Sequence, residues 1–155
     1  ELPDNALVIG GGDAAMDVSA TLKLLGVQNV TTVTRKELSD FRASKVELET
    51  ARAQGVTIVD GYAPVAVEGK VVTFRHRRLN SELKIEADKI ILAVGQSTDA
   101  DQLGLPIVKN EVDFDGFQAD GKVFVAGDIG DKTAVCAVRK GKAAAYAIHN
   151  FVGGR

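Results

Sequence analysis

Gly10, Gly12 and Ala15 stand in the spacing G-x-G-x-x-A, directly after the apolar run Leu7-Val8-Ile9. In that spacing the first glycine permits a tight turn and the second lets a pyrophosphate approach the backbone. The small third residue lets a helix pack closely on a strand. A helix starting there offers unpaired N–H groups and the positive end of its dipole to phosphate oxygens. The pattern needs a strand before it and a helix after it to mean this, and the flanking sequence supplies both. Gly10, Gly11, Gly12, Ala14 and Ala15 are therefore the candidate pyrophosphate contacts; a tight turn without a ligand is the plain alternative.

The chemistry that tells one dinucleotide from another should sit at the end of the next strand. An acidic residue there would hold the ribose hydroxyls of NAD. Here Thr34-Arg35-Lys36 follows instead, with Arg42 a little further on. Cationic side chains suit a 2′-phosphate and favour NADPH over NADH; a merely solvated basic loop is the alternative. Glu37 pulls the other way, because a one-turn shift would present its carboxylate to the ribose. Asp13, at a helix N-terminus, suits the dipole but would repel a pyrophosphate, so it is expected to point away, toward a flavin side or into a cap.

Other reactive residues carry less. Arg75-His76-Arg77-Arg78 is the densest basic run. In a strand its side chains alternate faces, which favours an exposed sheet edge over a docking patch. His76 and His149 have no nucleophile or acid at a recognisable spacing and read as structural or solvated. Cys136, the single cysteine, reads as a small buried hydrophobe of a helix. No catalytic acid, base or nucleophile and no metal site is expected.

These residues require particular elements. Residues 7–9 read as a buried parallel strand, and Ala15, Val18, Leu22 and Leu25 as one face of a helix ended by Gly26. Residues 30–34 are a β-branched second strand. Ser44 caps a helix to Gln54, Gly55 ends it, and residues 56–59 form a third strand. This alternation predicts a parallel sheet with right-handed crossovers. Residues 65–67, 71–75 and 83–85 then read as antiparallel strands, with turns at Glu68-Gly69-Lys70 and Asn80-Ser81. Residues 90–94 are an apolar run fit for the centre of a sheet, ended by Gly95. Residues 123–126 read as a further buried strand before Gly127-Asp128. A last helix, 133–151, carries Val135, Val138, Ala145 and Ile148 on one side.

The whole composition fits this frame. The chain has 155 residues, 45% of them hydrophobic, and a formal net charge of −2. That allows a packed core and gives no field for nucleic acid or an anionic membrane. No signal peptide or transmembrane-length run is visible, and a single cysteine suits the cytoplasm. A first residue other than Met and a strand close behind it suggest a piece of a longer protein.

Three motifs together resemble the flavoproteins built from two dinucleotide-binding domains, with the NAD(P)H domain inserted in the FAD domain. Gly10-Gly11-Gly12-Asp13-Ala14-Ala15-Met16-Asp17 looks like the NADPH site of the glutamate synthase small subunit group. Ile90-Ile91-Leu92-Ala93-Val94-Gly95-Gln96 is similar to the strand that leaves that domain. Val123-Phe124-Val125-Ala126-Gly127-Asp128 with Gly141-Lys142-Ala143-Ala144 resembles the flavin-side closing motif. Thr34-Arg35-Lys36 and Phe41-Arg42-Ala43-Ser44 are also similar to thioredoxin reductases, where such arginines bind the 2′-phosphate.

The resemblance implies an α/β fold. A Rossmann-like NAD(P)H-binding domain, with a parallel sheet and an antiparallel β-meander, would span residues 1–98. Residues 99–155 would be the C-terminal portion of an FAD-binding domain. Gly95 would lie near the nicotinamide, and Gly127 and Asp128 on the flavin side. The implied function is hydride transfer from NADPH to FAD, and on to an unidentified electron acceptor, in the intact protein. The implied partners are the missing FAD-domain portion and that acceptor. Apolar surface on the incomplete half favours association, a homo-dimer being one form. The alternatives are an NADP(H)-binding or sensing module without flavin chemistry, and a scaffold without a ligand.

Overall fold

The structure, a computed structural model, describes residues 1–41, 43–96, 102, 104–105, 107–108, 111–112, 117–127 and 133–153. The chain forms two compact units, Glu1–Gly95 and Gln96–Arg155.

In the first unit β1 (Asn5–Ile9) leads through a glycine turn into α1 (Asp13–Leu24). Next come β2 (Asn29–Val33), a 3-10 turn at Leu38–Asp40, α2 (Lys45–Ala53) and β3 (Thr57–Val59). The chain continues through β4 (Tyr62–Glu68), β5 (Val71–His76) and β6 (Glu82–Glu86) to β7 (Lys89–Leu92). Strands β3, β2, β1 and β7 form a parallel sheet in that order, and β4, β5 and β6 an antiparallel one.

Alternation along β1 decides the layering. Ala6 and Val8 face one way and join Ala15, Met16, Ala20 and Ala51 of the two helices. Leu7 and Ile9 face the other way and join Val33, Val72, Phe74 and Ala87. The parallel sheet thus lies between a helical layer and the antiparallel sheet, with a hydrophobic core on each side.

Both helices end alike. Gly26 donates to Lys23 O and Val27 to Leu22 O; Gly55 donates to Arg52 O and Val56 to Ala51 O. These paired bonds need a left-handed residue, and the two glycines supply it at φ +98° and +82°. Ser44 Oγ accepts the Glu47 amide at 3.2 Å and caps α2 as expected.

Several expectations need correction. The buried face of α1 is Ala15, Met16, Ser19 and Ala20, with Val18 and Leu22 only half-buried and Leu25 58% exposed. Close packing on the sheet selects small residues there. Ser19 Oγ donates to Ala15 O at 2.6 Å and lies 2.7 Å from Thr32 Oγ1, so a buried hydroxyl pair replaces an apolar contact. Strand β7 is an edge, not the centre, and Leu92 is 70% exposed. The inner places belong to β2 and β1, each paired on both sides. Conversely β5, which begins the basic run, is the middle strand of its sheet rather than an edge.

In the second unit β8 (Ile107–Val108) pairs antiparallel with β9 (Glu111–Val112), and β10 (Gln118–Asp120) with β11 (Val123–Phe124). Helix α3 (Ala134–Phe151) follows, its first turn capped by Thr133 Oγ1 on the Cys136 amide. The strand expected over 123–126 is only β11, and Val123 is exposed because no sheet layer among the described residues covers it. The inward side of α3 is Cys136, Ala137, Lys140, Ala143, Ala144 and Ala147; the expected Val135, Val138, Ala145 and Ile148 face outward. Small side chains again take the packed face, and Cys136 is half-buried among them.

Candidate functional site

The carboxyl ends of β1, β2 and β7 meet at one edge of the parallel sheet. Gly10 N donates to Val33 O at 3.0 Å, Thr34 N to Val59 O at 2.9 Å, and Ala93 N to Ile9 O at 2.8 Å. The sheet order reverses here, since the chain adds β2 and β3 on one side of β1 and β7 on the other. Ligands of open α/β sheets bind at such a point. The edge brings together Gly10–Gly12, Thr34–Glu37 and Ala93–Gly95.

The three glycines of the turn have different reasons to be glycine. A Cβ on Gly10 would run into the carbonyl oxygen of Ala93, and one on Gly11 into Thr34 Oγ1. A Cβ on Gly12 would meet no protein atom within 4 Å. Gly12 also sits at the N-cap of α1 with no side chain capping the helix. The first backbone bonds back into the turn come from Ala15 and Met16, both to Gly12 O. The Asp13 and Ala14 amides, in the first turn of α1, have no acceptor within the helix. Open space and free amides together fit a diphosphate. Ala15 is fully buried, which keeps α1 close to β1, and Ala14 is exposed one residue into the helix.

Asp13 turns to a cap, but not of its own helix. Its Oδ1 accepts the Ser44 amide at 2.6 Å, at the entrance to α2. The carboxylate thereby lies beside the N-terminal ends of both helices and ties the glycine turn to the end of the loop after β2.

That loop is anchored through its backbone. Thr34 O accepts from Tyr62 N, and Thr34 Oγ1 accepts from Lys36 N at 3.3 Å. Lys36 O accepts from Gly61 N, and Leu38 N donates to Asp60 Oδ2 at 2.8 Å. Arg35 is exposed and Lys36 half-buried. Glu37 is gripped by Arg78, whose Nη1 lies 2.9 Å from Oε1 and 3.1 Å from Oε2. Arg42 lies outside the described residues.

Arg78 and Asp60 were not among the residues expected at the site. The basic run leaves its strand at His76, so Arg77 and Arg78 belong to the turn and are free of strand alternation. His76 is structural but far from unpartnered: its Nδ1 accepts from Arg78 N at 3.1 Å and Leu79 N at 2.9 Å. Its ring meets Tyr62 edge-on at 4.9 Å. A turn signal at Asn80-Ser81 was legible; a turn built on a histidine acceptor has no composition cue.

Gly95 closes the sheet edge two residues past Ala93, with open space around it. On the expected flavin side, Gly127 is likewise open and Asp128 lies outside the described residues. Among the described residues no group of three or more His, Cys, Asp or Glu could hold a metal ion. No helix there is long and apolar enough to cross a membrane.

The family model of the pyridine nucleotide-disulphide oxidoreductases matches residues 1–146. The chain belongs to that family. Over 157 residues it is 54% identical to "NAD-dependent dihydropyrimidine dehydrogenase subunit PreT" of Escherichia coli (strain K12), covering 99% of this chain. It is 29% identical to "Glutamate synthase [NADPH] small chain" of the same strain, over 94% of this chain. In each case it spans 38% of the relative's length. Among solved structures, the thioredoxin reductase of T. acidophilum superposes with a TM-score of 0.84 at 17% identity, over 96% of this chain and 52% of that one. This likeness gives the oxidoreductase fold, with parallel and antiparallel sheets as in the thioredoxin reductase.

Proposed function

We propose that this chain is the nicotinamide-coenzyme domain of a flavoprotein oxidoreductase, passing hydride between a nicotinamide dinucleotide and FAD. The observation that carries the reading is the open face of Gly12 beside the free amides of α1, at the sheet edge where order reverses. Gly11, Gly12 and Ala14 line the space for the pyrophosphate, Gly10 and Ala15 shape the turn behind it, and Gly95 leaves room for the nicotinamide. When bound, FAD supplies the redox chemistry, and the protein's part is to orient the coenzyme against it. Residues 99–155, with Gly127 and Asp128, belong to the flavin side and complete it only with the rest of the FAD domain.

The coenzyme is NADH on the reading we favour. Glu37, in the loop after β2, would read the ribose hydroxyls, with its carboxylate held in place by Arg78. The relative at 54% identity bears the name NAD-dependent, which supports the same reading. NADPH, which Arg35, Lys36 and Arg42 favour, is the second reading. On the acceptor side, the name of that relative supports a subunit of a dihydropyrimidine dehydrogenase. The single cysteine suits the cytoplasm, where we place the protein.

Anaerobic titration of the full-length protein tests this. Purified protein should be yellow, and NADH should bleach the flavin band at lower concentration than NADPH. Bleaching at lower NADPH concentration would select the second coenzyme reading. A colourless protein that binds neither coenzyme would sink the proposal.

A further inference from the structure

The loop after β2 and the turn between β5 and β6 are built on one shared residue, Gly61. Gly61 N donates to Lys36 O at 3.1 Å, and Gly61 O accepts from Arg77 N at 2.9 Å. The His76 ring lies against Gly61 so closely that a Cβ there would sit 2.6 Å from Nε2. The same ring accepts the Arg78 and Leu79 amides, and His76 N donates to Ser81 O at 3.0 Å. Arg78 is thereby fixed at its backbone and aimed across at Glu37.

The ion pair is exposed on both sides, 70% for Arg78 and 35% for Glu37, so it adds little to stability. Its consequence is electrostatic and local. Arg35, Lys36 and Arg42 give the loop three positive charges, and Glu37 and Asp40 take two away. Arg78 offsets part of the Glu37 charge while holding that carboxylate in place, so the loop takes a bare ribose and tolerates a 2′-phosphate.

We infer that Arg78 is a specificity-determining residue of the coenzyme site: from the neighbouring sheet it positions Glu37 and sets the charge that the ribose-reading loop shows to a 2′-phosphate. The inference rests on the nicotinamide-coenzyme reading above. Without Arg78 the Glu37 carboxylate is uncovered and repels the phosphate of NADPH, while NADH, which lacks that group, loses only the positioning of that carboxylate and is affected less. Without the Glu37 charge Arg78 is released to attract the phosphate. One unit charge beside a phosphate at a protein surface corresponds to about a tenfold change in Kd.

The test measures Kd for NADH and NADPH by calorimetry on the full-length protein and its variants. Arg78→Gln should weaken NADPH relative to NADH by about tenfold, and Glu37→Gln should shift the ratio about tenfold the other way. The double variant should return near the wild-type ratio, and Arg78→Lys, which keeps the charge, should stay close to it. A merely structural role would move both coenzymes alike, so an unchanged ratio in both single variants overturns the inference while leaving the coenzyme reading in place. Failure of the wild type to bind either coenzyme overturns that reading and the inference with it.

Discussion

Gly10 and Gly12 belong to one motif, yet their replacement should separate folding from binding. Alanine at Gly10 forces a methyl into the Ala93 carbonyl oxygen, a backbone atom that cannot move aside. Gly10→Ala should destabilise the first unit by about 1–3 kcal/mol, read from its denaturant midpoint. Alanine at Gly12 meets no protein atom, and Gly12 has an extended backbone that alanine tolerates. Gly12→Ala should therefore cost only the roughly 1 kcal/mol of a poorer N-cap, while its coenzyme Kd rises about tenfold or more, because the methyl stands in the pyrophosphate's space. A Gly12→Ala protein that binds normally would remove the diphosphate from this turn. Asp13 acts at the same scale. Asp13→Ala deletes the acceptor of the Ser44 amide and should cost about 1 kcal/mol, whereas Asp13→Asn, which keeps an acceptor, should recover most of it in the same denaturation series.

At the scale of elements, the core between the two sheets depends on Phe74, a fully buried aromatic of β5. Phe74→Ala should cost about 3–5 kcal/mol, enough to lower the urea midpoint sharply. A loss below about 1 kcal/mol would mean that the antiparallel sheet docks without it. The elements also show where a sequence is readable. Strand–helix alternation, the Ser44 cap and the glycine stops at Gly26 and Gly55 were legible because each depends on neighbours along the chain. The packed sides of α1 and α3 were not. Apart from Met16 and Lys140 their inward residues are small, alanines with a serine and a cysteine, and a search for large apolar side chains selects the other side. Edge and centre strands were inverted for a related reason: Lys89 to Leu92 is apolar enough for a centre, but sheet order is set by crossovers rather than by composition. At the site, the glycine turn and the Thr34–Glu37 loop were legible, while Asp60 and Arg78 come from other elements and needed the fold.

At the scale of the whole first unit, one exposed pair links its two sheets. Lys70, in the turn between β4 and β5, lies 2.7 Å from Asp88, which precedes β7 and also accepts the Asn5 amide at 3.1 Å. The Lys70 hydrogen bond, with the Asn5 amide next, holds the Asp88 carboxyl below its usual range. The Asp88 bond likewise raises Lys70 above its usual value. A lowered carboxyl contributes stability that is present above its unfolded value and lost as pH falls through its folded one; a raised lysine contributes stability present below its unfolded value and lost as pH rises through its folded one. The pair is thus in force at neutral pH and released below about pH 4 or above about pH 10. Asp88→Asn should lower the denaturation midpoint at pH 7, with the two proteins converging as pH drops below 4. Parallel curves at every pH would show that the charge contributes nothing.

The sharing of Gly61 has a practical consequence for redesign. Swapping the segment after β2 alone, the usual way to exchange one coenzyme for another, would here leave half of the determinant behind. Lys36 needs the Gly61 amide, Arg77 needs the Gly61 carbonyl, and the His76 ring leaves no room for a side chain at that position. A transplant of this preference into another scaffold has to carry three separate stretches together: the loop, the glycine and the histidine-built turn.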